Sequence, residues 1–187
     1  MENLISFHGD VNIKNQLVAN LVAHRKADEI IQGTYWSDGK GCAVGCSIVD
    51  FGGEPESHSE YERLFGIPRA IARLEDGIFE GLSVDDSGWW PQAFAEAVPV
   101  GADLSMVLPK FFVWLLGDEK DGVIRHASAN GKKAIQGVID LYQRKIEGEE
   151  IELEDWRSAR HAAADAADAA DAAAAAYAAA AAYAAAY

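Results

Sequence analysis

The chain is short of sulfur, of basic charge and of long apolar runs. Two cysteines, Cys42 and Cys46, stand in 187 residues, too few for a disulfide framework. With no basic-then-apolar leader at the start, they predict a reducing cytoplasmic compartment, that of a bacterial host if the protein is phage-encoded. Lys and Arg number 16 against 30 Asp and Glu, for a net charge of −14. That balance argues against direct, sequence-independent binding to nucleic acid or to an anionic membrane, where basic side chains supply the affinity. No apolar run approaches the roughly 20 residues of a membrane span. The phosphate-binding spacings GxxxxGK[ST] and GxGxxG are missing, as are CxxC, HxxxH and the Glu-x-x-His pair of di-iron helices.

What is present is helical patterning. Asp10 is placed to cap a first helix whose apolar positions run from Val11 to Ile31, with Gly33 as the stop. Cys42–Val49 is short and apolar; periodicity leaves two helical turns or a buried strand open, and the helical segments around it, with no second strand to pair, favour helix. Ser57 and Glu60 have capping-box spacing, Gly66 ends that helix, and Pro68 suits the first position of the next. A short helix is expected over Gln92–Val98. Asp103 is expected to cap Leu104–Leu116, a segment so continuously apolar that it reads as a central helix, kinked or split by Pro109. A further helix begins near Asp121 and runs to about Lys145. Ala162–Tyr187 holds 20 Ala, three Asp and three Tyr, and Ala has the highest helix propensity. The expected fold is all-α: a compact multi-helix domain over residues 1–150 and a long alanine-rich C-terminal helix over 151–187. The thin face of that helix suits close approach to another helix, and so a homo-oligomer.

Chemistry concentrates in Gln32–Cys46. Tyr35 and Trp36 offer flat faces for stacking. Gly39, Lys40 and Gly41 form a loop whose amides can turn toward an anion, and a helix beginning at Cys42 adds further amides and a partial positive charge. Arg69 and Arg73, four apart on one helix face, supply guanidinium groups for phosphate. These eight residues form the expected ligand site. They read equally as a tight turn with core packing, and the arginines as partners of nearby carboxylates. Cys42 and Cys46 lie one turn apart, which admits a reactive thiol but lacks the remaining ligands of a zinc site. The acidic run Glu54–Glu62 around His58 reads as a solvated helix face. No metal, cofactor or catalytic residue is assigned.

The stretches Ile30–Ile48 (IIQGTYWSDGKGCAVGCSI), His58–Pro68 (HSEYERLFGIP) and Ala72–Leu82 (ARLEDGIFEGL) resemble a family of uncharacterised bacterial and bacteriophage proteins. These carry a Gly-Cys-Ala-Val-Gly element and alanine-rich tails. The resemblance implies a phage or prophage context and brings no catalytic residue. Together these readings point to a non-enzymatic protein that sequesters a nucleotide-like signalling molecule of host antiviral defence. The alternative is an acidic inhibitor that masks a nucleic-acid site on a host enzyme. An enzyme with a cysteine nucleophile is the third reading.

Overall fold

Asp10 opens the first helix as its carboxylate accepts the Asn12 N–H at 2.8 Å, satisfying one donor that a helix start leaves unpaired. The computed structural model describes residues 4–167. Among them it has nine α-helices and no strand. They are α1 (Val11–Lys26), α2 (Ala43–Val49), α3 (Glu60–Phe65), α4 (Arg69–Gly81), α5 (Val84–Ser87), α6 (Trp90–Ala97), α7 (Val107–Gly117), α8 (Ala129–Ile146) and α9 (Leu153–Ala167). The fold is all-α, as expected, and no described helix is long and apolar enough to cross a membrane. The chain divides into two compact units, Met1–Ser105 and Met106–Tyr187.

In the first unit, α2 is the buried centre. Every residue from Ala43 to Ile48 is inaccessible, and Leu17, Leu21, Tyr61, Phe65, Ala72 and Phe79 join it in one core. Two glycines, Gly41 and Gly45, make this placement possible. A Cβ on either would fall within contact distance of the Tyr35 carbonyl oxygen, so the backbone of the preceding loop can rest on α2 only where no side chain intervenes. The unit is closed by its ends. The Ser6 N–H donates to Ala102 O at 2.9 Å, the Leu104 N–H to Leu4 O at 3.0 Å, and the buried Ser6 hydroxyl donates to Pro99 O.

In the second unit α8 is the spine. Ile135, Val138, Ile139 and Tyr142 are buried along it, and Tyr142 lies between Phe112 (centroids 5.3 Å apart) and Trp156 (4.8 Å). Trp156 and Ala163 of α9 belong to this core. The boundary expected at residue 150 is therefore not where the compact units part: the start of the C-terminal helix is built into the second unit. The rest of the expected long helix, 168–187, lies outside the described residues.

Other expectations shift for local reasons. Helix α1 stops at Lys26 rather than near Ile31, because Asp28 takes a left-handed φ of 57° and Ile31 turns its N–H to Gly41 O. Ser57 and Glu60 form no capping box: the Glu60 N–H takes the Ser57 carbonyl, and the two hydroxyls of Ser57 and Ser59 pair with each other. Helix α7 starts at Val107, so Pro109 falls in the first turn, where its missing N–H costs no hydrogen bond and forces no kink. Nor is α7 central. It buries only Pro109 and Leu116, and Trp114 is 50 % exposed, since a helix apolar all round can bury only the face its unit covers. The next helix starts after Ser128 rather than near Asp121.

The glycine contacts set opposite outcomes for two alanine substitutions. Gly45→Ala forces backbone apart and is expected to cost about 3 kcal/mol or more, by analogy with overpacked cores. Gly77→Ala, mid-α4 with nothing within 4 Å of an added Cβ, is expected to stabilise by about 0.5–1 kcal/mol. Urea unfolding of the two variants checks both signs.

Candidate functional site

The loop between α1 and α2 is a narrow hairpin. Asp38 and Gly39 have φ of 53° and 80°, the two positive values of a type I′ turn. Ser37 and Lys40 exchange both backbone bonds, at 2.8 and 3.0 Å. Below the turn, the Ile31 N–H donates to Gly41 O, the Gly41 N–H to Glu29 O and the Cys42 N–H to Thr34 O. Of the amides expected to turn toward an anion, those of Lys40 and Gly41, and that of Cys42 at the helix start, are already given to carbonyls. Trp36 is half-buried against the core and meets the ring of His24 edge-on at 5.5 Å. It is a wall of the fold rather than an open stacking platform. Buried His24 holds the loop's base, with Nδ1 at 2.7 Å from Glu29 and Nε2 at 3.1 Å from Asp50. Among the described residues Lys40 pairs with Asp28 alone, at 3.9 Å.

On one side of this hairpin lies a cleft of about 430 Å³, lined by Arg25, Asp28, Ile30, Ile31, Gln32, Val84, Ser87 and Gly88. Ile30, Ile31 and Val84 give it apolar walls. Gln32 is fixed, its Nε2 donating to Phe79 O at 2.8 Å and Leu82 O at 3.0 Å. The Ser87 hydroxyl is turned away onto Val84 O. No described residue bonds the Arg25 guanidinium. None of the eight expected site residues lines this cleft.

On the other side three of the eight do come together. Tyr35 is partly exposed, and burial together with the charges of Asp76, Cys42 and Glu80 raises its phenol, while Arg73 pulls the other way. Arg69, one turn earlier at the start of α4, is not among the groups Tyr35 senses; its backbone N–H donates to Glu62. The residues that complete this face were not expected from sequence. His58 donates or accepts through Nε2 at 2.8 Å from Asp76 Oδ2, and its ring meets Tyr35 edge-on at 5.7 Å. Glu80 accepts the Gly33 N–H. Beneath them Glu75 is 1 % exposed, with neither carboxylate oxygen in bonding geometry to a donor. Burial first, then the neighbouring charge of Asp76, holds Glu75 well above the usual carboxylate range, and the Tyr61 hydroxyl opposes them. The i, i+4 spacing of Asp76 and Glu80 was a readable signal that two carboxylates share a face. Nothing in the sequence brought that face to Cys42.

Burial pushes both thiols up to about 12, so at neutral pH neither is the thiolate that a cysteine nucleophile requires. Such thiols are poor nucleophiles near neutral pH. Compared with family models, curated proteins and solved structures, the chain matches none.

The folded chain is expected to resist iodoacetamide near neutral pH while the urea-unfolded chain is alkylated at both thiols; rapid single labelling of the folded chain would restore the nucleophile. Glu75 gives a pH signature. An acid whose folded pKa exceeds its unfolded value binds more protons folded than unfolded, so stability falls as pH climbs above its ordinary 4.5. Glu75→Gln is expected to remove that fall, raising the urea midpoint at about pH 8 more than at about pH 5. Equal shifts at both pH values would show Glu75 to be ionised in the fold.

Proposed function

We propose that this protein is a non-enzymatic binding protein that sequesters a small anionic molecule of the nucleotide class. The observation that carries the reading is the cleft beside Ile30–Gln32. Its volume of about 430 Å³ suits a ligand of that size, in the lower part of the range for small-molecule sites. The walls of Ile30, Ile31 and Val84 accept the flat face of a base or ring. Arg25, bonded to no described residue, is placed to take an anionic group through its planar fork of donors. Lys40 lies 3.9 Å from Asp28, which lines the cleft. Sequestration needs no catalytic group, in keeping with two protonated thiols. The resemblance of the Gly41–Gly45 element to bacterial and bacteriophage proteins supports a setting in which the captured molecule is a signal of host antiviral defence. The alanine-rich tail supports a homo-oligomer.

A second reading is favoured by the net charge of −14: an acidic inhibitor that occupies a basic nucleic-acid site on a host protein. The two differ in their response to salt, because charge mimicry is screened within about 10 Å at 0.1 M ionic strength, whereas a walled cleft keeps its apolar contribution.

Calorimetric titration of the full chain with cyclic mononucleotides, cyclic dinucleotides and ADP-ribose derivatives is expected to give saturable heat with one of these classes. Arg25→Ala is expected to weaken that binding about tenfold, near 1.4 kcal/mol, with thermal stability unchanged. Absence of heat with every class would remove the sequestration reading and leave the inhibitor.

A further inference from the structure

The face of α4 turned toward Cys42 collects three unlike ligand groups that the cleft does not use. The Cys42 sulfur, one carboxylate oxygen of Asp76 and one of Glu80 all lie within 4.8 Å of one another. They come from two elements, α4 and the start of α2, so no single run of sequence produces the set.

Each group is held by a second one. His58 Nε2 lies 2.8 Å from Asp76 Oδ2, which leaves Asp76 Oδ1 buried with no hydrogen-bond partner. The Gly33 N–H fixes Glu80, whose carboxylate retains further lone pairs. The Cys42 side chain is 1 % exposed and is turned inward on both carboxylates. Beside them lies Glu75, buried and itself without a donor. A thiol and two carboxylates thus converge in a partly buried site, with one carboxylate oxygen unpaired.

We propose that Cys42, Asp76 and Glu80 bind one divalent transition-metal ion of the zinc type. The donor set decides the class. A thiolate selects zinc or a similar borderline-soft ion over magnesium and calcium, which take oxygen alone. Three protein ligands leave a fourth position open to water or an incoming group. His58 and the Gly33 amide act as the outer partners that orient ligating carboxylates. Zinc–sulfur and zinc–oxygen bonds of about 2.3 and 2.0–2.2 Å put tetrahedral donors roughly 3.4–3.7 Å apart. A bound ion therefore draws the groups inward by about 1 Å at most, within reach of side-chain rotation on α4.

The chemistry balances without a redox partner. The Cys42 S–H bond breaks as the sulfur–metal bond forms, and the proton leaves to solvent. Binding therefore strengthens as pH rises. The groups facing the site that bear on this are His58, Tyr35, Arg73 and the buried Glu75. None of its three ligands lines the cleft.

The test uses the full chain, stripped with a chelator and checked for retained helicity. Zinc chloride is titrated by calorimetry and cobalt(II) by absorption spectroscopy. The expected result is one equivalent of metal, with a sulfur-to-cobalt charge-transfer band and the visible bands of tetrahedral cobalt. Cys42→Ser is expected to abolish the charge-transfer band. Glu80→Gln, at an exposed position and therefore safe for folding, is expected to weaken zinc binding about 10-fold or more, in line with losses seen on disturbing metal-site partners. No binding by the folded wild-type chain overturns the proposal. So does a charge-transfer band that survives Cys42→Ser, or zinc affinity unchanged in Glu80→Gln.

Discussion

The structure of the first unit hangs on one close approach, the backbone of Tyr35 lying directly on α2. Gly41 and Gly45 sit one turn apart with no side chain between themselves and the Tyr35 carbonyl. The same segment is stitched by the bonds from Ile31 to Gly41, Gly41 to Glu29 and Cys42 to Thr34. His24 closes it from the far side, gripping Glu29 and Asp50 with its two nitrogens. A shift of Tyr35 by the radius of one methyl group would pull against all of these, because close-packed interiors do not absorb such displacements gradually. Every feature with chemical interest follows from the contact. It sets Ile30–Gln32 along the cleft, turns Gly33 toward Glu80, and leaves Tyr35 over the thiol that lies between the two glycines.

A second constraint is electrostatic. An acidic protein ordinarily spreads its carboxylates over the surface, yet α4 carries Glu75 into the core and Asp76 nearly so. An unsatisfied buried polar group costs about 1–3 kcal/mol, and burial holds the Glu75 carboxyl well above its ordinary range. Asp76 has His58 on one oxygen and no donor on the other. The aromatic and aliphatic core around Phe65, Phe79 and Ile48 has to offset what they cost. A cation between Asp76, Glu80 and Cys42 would remove the least satisfied term in that balance.

The helices were legible wherever a cap or a terminator is written into short-range sequence. Asp10 and Gly66 act as their residue types suggest, and the apolar run after Cys42 is a helix. Legibility failed where long-range contact decides. The isoleucines at 30 and 31 continue the period of α1 by coincidence and serve the hairpin instead. Six consecutive apolar residues in α7 suggested burial on all sides, but a three-helix unit has only one face to give. The Asp38–Gly39 pair was a readable hairpin signal, since both positions of a type I′ turn need positive φ. Reading the glycines as an anion loop hid it. Tyr35, Cys42 and Arg73 lie on one face, yet the glycine spacing beside them speaks of backbone contact rather than of ligand amides. His58, Asp76 and Glu80 lie in segments that only the folded chain juxtaposes.

The two faces of the hairpin are joined through a single pair of residues. Gln32 lines the cleft and donates to Phe79 O, which also accepts the Leu82 N–H, and to Leu82 O just past the end of α4. Gly33, the next residue, donates to Glu80 in that same last turn. A guest that displaced Gln32 would strip the end of α4 of its cap and carry the Gly33 amide away from Glu80. An ion held by Glu80 would fix the amide and, with it, the floor of the cleft. Linkage requires that such an effect run equally in both directions. The sign of the coupling follows from the geometry. A ligand that fits the cleft with Gln32 in place strengthens the ion site, and one that needs Gln32 moved weakens it.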